Sequence, residues 1–352
     1  MGSSDIPESD PVLDAIQLVN VEGVRAGVTT PLQQQRERPR ISLRDHEKYI
    51  SLTMEFRCNL KCVHCMIEGT MDDLQPTPDQ LFQQVLEEQR RSNRWQGLVL
   101  TGSEITLHRD LPKMAEQARR AGFDRVRIQT HGMRLGKTEY ADTLLDAGVN
   151  EFFVSVAGAG AIQHDKITQV QGAWERMLAG MEHLDGKPDV KLLTNTVVTS
   201  LSFRQLPEIV TLLGDLRSLV QMEFWNYWPM SETDEKQLCA SNMDTLPYLR
   251  EAIQRARDLG RYVEVKNFPE CLLTDFGDAV VNAQPTLVID PAFWKEFDRN
   301  GFYQCRHQEQ CASTECLGLN TAYIERFGWE SEILSPISKQ TNEMSNVEGE
   351  NI

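Results

Sequence analysis

From Lys48 onward, short apolar runs alternate with longer stretches whose apolar residues recur every three or four positions. Tyr49 to Met54 (YISLTM) alternates with the period of a strand. Residues 77–92 open on Thr-Pro and carry Leu81, Phe82, Val85 and Leu86 at helical spacing. Gly97 to Thr101 (GLVLT) reads as a second strand, and His108 to Arg120 as a helix stopped by Gly122. The rhythm repeats with strands at Arg125–Thr130, Glu151–Val156, Val190–Val198 and Val220–Tyr227. Helices are expected between them at Lys137–Ala147, Gly172–Leu184 and Phe203–Leu213.

Strand–helix alternation of this kind predicts an α/β fold whose parallel strands are joined by right-handed crossovers. The strands read as nearly uninterrupted apolar runs, which fits a sheet buried on both faces. An open sheet and a barrel both satisfy the pattern. After Pro229 the rhythm changes: a helix at Asp244–Leu259 and a short strand at Tyr262–Val265 precede irregular stretches carrying Cys271, Cys305, Cys311 and Cys316. The expected division is a polar N-terminal extension over 1–45, a main α/β domain over 46–235, a smaller cysteine-bearing domain over 236–330 and a disordered tail over 331–352.

Charge and composition narrow the function. The 52 acidic and 36 basic side chains leave a net charge of −16, which opposes approach to a phosphate backbone and speaks against nucleic acid. No apolar run approaches the ~18 residues of a membrane span. The opening MGSSDIPESDPVLDAIQL has acidic residues where an export signal carries basic ones, so a reducing cytoplasm is the expectation. In that setting the eight cysteines read as metal ligands or catalytic thiols rather than disulfides.

Cys58, Cys62 and Cys65 stand in FRCNLKCVHC, directly after the first strand. Three thiolates on one loop can hold three irons of a [4Fe–4S] cube, leaving the fourth iron open to a small molecule. A structural zinc knuckle is the alternative, but it needs a fourth ligand, and His64 is poorly placed between two others. With its C-x3-C-x2-C spacing the sequence resembles the radical S-adenosylmethionine (SAM) superfamily over about residues 48–230. Further motifs fall in order. Thr101-Gly102-Ser103-Glu104 ends the second strand, where the family carries a TGGE-like motif contacting the methionine amino group. Gln129-Thr130-His131-Gly132 ends the third, where relatives often read QTNG. Ser155 ends the fourth strand and Asn195 lies in the fifth, at positions that contact the ribose or methionine part of SAM in relatives. His64 occupies a position that is often aromatic and near the adenine. The sequence departs from the family pattern at Ser103, at Ile105 where Pro is common, and at His131 where Asn is common; every cluster cysteine is present.

The resemblance implies a partial (β/α)6 TIM-type barrel with ligands at the C-terminal strand ends. It implies a [4Fe–4S] cluster on Cys58, Cys62 and Cys65, with SAM near His64, Gly102, Ser103, Glu104, Thr130, His131, Ser155 and Asn195. One electron from the reduced cluster would cleave SAM to methionine and a 5′-deoxyadenosyl radical, which takes hydrogen from an unactivated carbon. A flavodoxin or ferredoxin is the implied electron donor.

The C-terminal cysteines extend the resemblance. Cys271, Cys305, Cys311 and Cys316 are separated by thirty-three, five and four residues. The region resembles the SPASM domain, or its shorter twitch form, in radical SAM enzymes. Four suitable cysteines imply one auxiliary [4Fe–4S] cluster with an electron-transfer role. The spacing lacks the C-x2-C pair of commoner patterns. Scattered buried thiols or a zinc site are the alternatives. Cys239 is the spare, expected to be a plain thiol. His164-Asp165 offers an acid/base pair or a helix cap.

Three functions compete. One is a radical SAM enzyme acting on a small biosynthetic intermediate derived from a sugar, nucleoside or amino acid. The second is a maturase of ribosomal peptides or protein side chains. The third is a non-catalytic iron–sulfur carrier or zinc-binding module. Maturases often place an ~80-residue peptide-binding domain before the barrel, and the polar stretch before Lys48 is shorter than that. The strand-end motifs weigh against a carrier. Trp225, Asn226, Tyr227 and Trp228, at the end of the sixth strand, are expected either to pack the interior or to line a pocket for a small polar or ring-shaped substrate.

Overall fold

The computed structural model describes residues 48–282, 285–313 and 316–338. The extension expected over 1–45 and the end of the expected tail lie outside them. Among the described residues eight strands form one parallel sheet: β1 (Tyr49–Glu55), β2 (Gly97–Gly102), β3 (Arg125–Thr130), β4 (Glu151–Ser155), β5 (Lys191–Val198), β6 (Leu219–Asn226), β7 (Tyr262–Lys266) and β8 (Thr286–Val288). The spatial order is β7-β6-β5-β4-β3-β2-β1-β8, so consecutive strands are neighbours until the last, which returns to pair with β1. Lys266 of β7 and Leu287 of β8, at opposite edges, line the same cavity. The sheet therefore curls into a partial barrel.

The six expected strands are all present, and two more extend the sheet. Tyr262–Lys266 belongs to the sheet through its pairing with β6, not to a separate cysteine-bearing unit. Thr286–Val288 is only three residues long and follows a proline, too short to show a period.

Register explains how the barrel is built. Parallel partners place side chains on the same face. On the outer face Leu52, Leu100, Ile128, Phe152, Leu192 and Phe224 are fully or almost fully buried in one core. The helices that cover them follow the predicted periodicity. They are α1 (Asp79–Ser92), α2 (Leu111–Ala121), α3 (Thr138–Asp146), α4 (Ala161–Thr168), α5 (Ala173–Leu184), α6 (Leu206–Leu212) and α7 (Asn242–Asp258). Leu81, Phe82, Val85 and Leu86 of α1 are all buried, as their spacing requires. The inner face differs from the expectation of apolar strands throughout. Ser51, Thr53, Arg127, Gln129, Asn195, Glu223 and Lys266 point inward and line a cavity. The inner face is mixed, with these polar residues set among Val99, Phe153 and Val197.

Two further helices, α8 (Pro291–Asp298) and α9 (Thr321–Phe327), close the structure. Asp290 caps α8 by accepting from Ala292 N at 2.9 Å, and it accepts from Gln75 N at 2.8 Å, tying α8 to the segment before α1. Residues 331–338, expected to begin a disordered tail, are built in. Leu334 is buried, and Ile337 O accepts from Ala312 N at 2.8 Å.

Candidate functional site

The loop after β1 carries Cys58, Cys62 and Cys65, all half-buried. Glu55 turns the chain out of the strand by accepting from both the backbone N–H and Nε of Arg57 at 2.9 Å. Two backbone bonds, Lys61 N to Thr168 O at 3.1 Å and Val63 N to Ile167 O at 2.9 Å, pin the loop to the end of α4. Burial pushes all three thiols up, Cys62 to about 12, and the charges of neighbouring cysteines add to the rise at Cys58 and Cys62. Backbone donors oppose it: Leu60 N reaches Cys58 Sγ at 3.4 Å, and amides at Ile67 and Glu68 favour the Cys65 thiolate. Among the described residues no three His, Cys, Asp or Glu side chains close around a single metal ion.

Cys65 opens onto a cavity of about 460 Å³ at the C-terminal ends of the strands. His64, Gly102, Ser103 and Asn195 line it with Cys65. Three buried polar atoms on these residues, His64 Nδ1, Ser103 Oγ and Asn195 Oδ1, have no hydrogen-bond partner. Burial holds the His64 imidazole neutral, with its pKa lowered to about 4. Unpaired buried polar atoms are costly, and three on one cavity wall mark a place for a polar ligand. Gly102 has φ +151°, and a Cβ there would lie 1.8 Å from Glu55 O, so only glycine lets β2 pass its neighbour at this point.

Glu104, Thr130 and His131 form a buried group beside the cavity without lining it. Glu104 is fully buried and accepts from Thr106 N at 2.9 Å, Thr130 Oγ1 at 2.7 Å, His131 N at 2.9 Å and the Thr106 hydroxyl. Its oxygens are thus taken up by the protein. Ser155 pairs in register with Asn195 but lies off the cavity wall. His164 and Asp165 divide their tasks. His164 Nδ1 accepts from Ala157 N at 3.2 Å, whereas Asp165 accepts from Gly172 N at 2.6 Å and Trp174 N at 2.9 Å, capping α5.

Residues 54–213 match the model of the radical SAM superfamily. This stretch of the chain belongs to the superfamily. It is 31% identical over 173 residues to a probable GTP 3',8-cyclase of Methanopyrus kandleri, covering 48% of this chain and 53% of that one. It is 29% identical over 187 residues to an AdoMet-dependent heme synthase of Methanosarcina barkeri, covering 53% and 52%. The chain thus spans about half the length of the curated relatives it matches. The structure of anSMEcpe with bound AdoMet shares the fold, with a TM-score of 0.50 at 16% identity over 66% of this chain and 67% of that one. Membership of the radical SAM superfamily implies a [4Fe–4S] cluster and SAM. The thiol triad with its amide donors, and the unpaired atoms lining the adjoining cavity, fit such a pair.

Outside the stretch matched to the radical SAM model, Cys271, Cys305, Cys311 and Cys316 line a second, small cavity together. A backbone amide serves each sulfur. His307 N, Ile337 N and Gly318 N reach Cys305, Cys311 and Cys316 at 3.4 Å, and the Ser335 backbone favours the Cys271 thiolate. Burial works in the opposite direction and pushes Cys316 up to about 11. Four amide-supported sulfurs around one space fit an anionic metal–thiolate group. Cys239 is not among them. It is buried between Tyr227, Leu272 and Tyr323, and its N–H donates to Asp234 Oδ2 at 2.8 Å.

Several residues on the radical SAM cavity escaped the sequence reading. Arg127, Glu223 and Lys266 line its floor, and Phe293, Trp294 and Phe297 of α8 add to its wall, with Phe297 beside Trp228 at 5.8 Å between ring centroids. The signal for the floor was present as the alternation in RVRIQT, VQMEFWN and YVEVK. The wall had no such signal, because α8 reaches the cavity only through tertiary packing. All four residues from Trp225 to Trp228 line the cavity.

Proposed function

We propose that this protein is a radical SAM enzyme that cleaves SAM reductively and takes hydrogen from a small biosynthetic intermediate derived from a sugar, nucleoside or amino acid. Cys58, Cys62 and Cys65 would hold the [4Fe–4S] cluster. Cys271, Cys305, Cys311 and Cys316 would hold an auxiliary [4Fe–4S] cluster serving electron transfer. When bound, cluster and SAM supply a 5′-deoxyadenosyl radical able to take hydrogen from an unactivated carbon.

The observation that carries this reading is the convergence of Cys65, His64 Nδ1, Ser103 Oγ and Asn195 Oδ1 on one cavity, the last three unpaired. Gly102 lets the backbone bend at the cavity wall, and Ser103 N is fixed on Glu55 O at 2.7 Å. Glu104, Thr130 and His131 position these strand ends from behind. The size of the cavity and its aromatic wall support a small substrate. A flavodoxin or ferredoxin would supply the electron.

The test is iron and sulfide analysis of anaerobically prepared protein, followed by reduction with dithionite in the presence of SAM. About eight irons with matching sulfide, and release of 5′-deoxyadenosine, are expected. Stoichiometric zinc without sulfide would overturn the reading. About four irons would retain the SAM site and remove the auxiliary cluster.

A further inference from the structure

His307 lines the small cavity of the four C-terminal cysteines, and its Nε2 is buried without a hydrogen-bond partner. No sulfur of Cys271, Cys305, Cys311 or Cys316 serves as that partner. Two other polar side chains on the same cavity are engaged. Gln304 Nε2 donates to Gly301 O at 2.6 Å and to Thr321 Oγ1 at 2.8 Å. Ser313 Oγ donates to Glu270 Oε2 at 2.6 Å and accepts from Cys316 N at 3.1 Å. The backbone of His307 is also committed, since its N–H reaches Cys305 Sγ at 3.4 Å. One bond therefore ties the residue to the cysteine site, while its ring nitrogen is left over inside the fold.

The surroundings say what that nitrogen is for. Burial pushes the Cys271 and Cys316 thiols up, and the Glu270 carboxylate adds to the rise at Cys316. Negative charge in this space is thus opposed, and an anionic group bound there needs donors beyond one backbone amide per sulfur. Four thiolates already supply one ligand to each iron of a [4Fe–4S] cube, so no iron is left for an imidazole. The acceptors that such a cube adds to the cavity are its own sulfides. A buried N–H is costly to leave unmade, and a sulfide gives it a partner.

We propose that His307 donates a hydrogen bond from Nε2 to a sulfide of the auxiliary cluster and thereby sets its reduction potential. This deepens the reading above and rests on it, because the four cysteines are taken to hold that cluster. The direction follows from charge. Reduction adds one negative charge to the cluster, and a donor stabilises the more negative form more, so the hydrogen bond raises the potential. A raised potential makes the cluster a better acceptor of an electron, in keeping with the electron-transfer role proposed for it. No backbone amide substitutes for the imidazole here, since those that reach the site are already on the cysteine sulfurs.

The experiment is an anaerobic redox titration of the full chain, followed by electron paramagnetic resonance. Cys58→Ala, Cys62→Ala and Cys65→Ala together leave the auxiliary cluster alone, and about four irons with matching sulfide are expected. His307→Phe keeps the ring but removes the N–H. It should lower the ratio of reduced to oxidised cluster about tenfold at the unsubstituted midpoint, a shift of about 59 mV for one electron. His307→Gln keeps an N–H donor and should recover a large part of that shift, which a merely structural role would not produce. With the cysteine triad intact the titration reads two steps, of which only the auxiliary one should move. Equal midpoints in wild type and His307→Phe, or no recovery in His307→Gln, would overturn the proposal. So would a nitrogen coupling of the size given by an imidazole bound directly to iron, which would make His307 a ligand. Zinc or no metal at the four cysteines, with about four irons kept in wild type, would instead overturn the auxiliary cluster itself and this inference with it.

Discussion

Glu104 and His131 meet twice: the His131 backbone N–H donates to Glu104 Oε2 at 2.9 Å, and Nε2 of the same residue stands 3.1 Å from that oxygen. His131 Nδ1 accepts from Met133 N at 3.2 Å, which places the ring proton on Nε2. That proton reaches Asn59 Oδ1 at 2.7 Å, inside the cysteine loop. The pair therefore couples the ends of β2 and β3 to the segment carrying Cys58 and Cys62. Glu104→Ala would leave the amides of Thr106 and His131 and the hydroxyl of Thr130 without their acceptor in a dry site. The expected loss is about 3–5 kcal/mol of stability, read as a shift in the urea midpoint at unchanged slope. Glu104→Gln keeps one acceptor oxygen and should lose about half as much. A loss below about 1 kcal/mol for Glu104→Ala would show that the group is not the staple described.

His164 is expected to make stability fall with acid. It is 1% exposed, packs edge-on against Trp174 with ring centroids 5.6 Å apart, and burial lowers its pKa to about 4. An unfolded His titrates near 6.5, so below that pH the unfolded chain binds a proton that the folded chain refuses. The contribution is intact above pH 6.5 and is lost as pH falls toward 4. At pH 5 it amounts to about 2 kcal/mol. His164→Asn keeps an acceptor for Ala157 N and has nothing to protonate. Its stability difference between pH 7 and pH 5 should be smaller than that of wild type by about that amount. Identical pH slopes for the two proteins would assign the acid sensitivity elsewhere.

Gly102→Ala should be among the most damaging single-methyl changes in the barrel. The new Cβ would meet Glu55 O at 1.8 Å, and both partners are backbone, so neither can swing away. A positive φ adds strain. The expected cost is about 3 kcal/mol or more, with weakened SAM binding, because Ser103 follows directly. Gly260→Ala is the control. It also has positive φ, at +71°, but nothing lies within 4 Å of its Cβ, so it should cost about 1 kcal/mol. Equal losses in the two variants would mean that backbone conformation alone, and not the contact with Glu55, decides the matter.

The outer face of the barrel was legible in the sequence because burial against helices imposes a period: Leu81, Phe82, Val85 and Leu86 could be placed from spacing alone. The cysteine triad was legible because its members are local in the chain. What was less legible depends on partners far away in sequence. β8 exists only because Ile50, Ser51 and Leu52 pair with it. Ala161–Thr168 has a weakly amphipathic pattern and is fixed by the cysteine loop bonding to its end. Glu104 could be singled out as a strand-end carboxylate, but not its partners, since Thr130 and His131 reach it across a strand pairing that spacing does not encode. Arg127 and Glu223 were read as parts of apolar strands because their neighbours are apolar, and Lys266 lay just past the expected strand Tyr262–Val265; only the curl of the sheet gives their face a cavity to line.

Cys239 separates a buried thiol from a ligand. It is 2% exposed and lies in the apolar cluster that also holds Cys271, yet it does not line the cavity shared by the other four C-terminal cysteines. Burial pushes its thiol pKa far up, with Asp234 adding to the rise, so it is held as a neutral thiol. A ligand must release that proton, and Cys239 sits where release is most opposed. Cys239→Ala should therefore keep iron and sulfide at the wild-type level and cost about 1–2 kcal/mol for the small void it leaves. Cys271→Ser should lower iron and sulfide by about half if the proposed auxiliary cluster is present, because one of the two proposed clusters would lose a ligand. Iron lost in Cys239→Ala to the same extent as in Cys271→Ser would make Cys239 a ligand and require a different fourth member of the set.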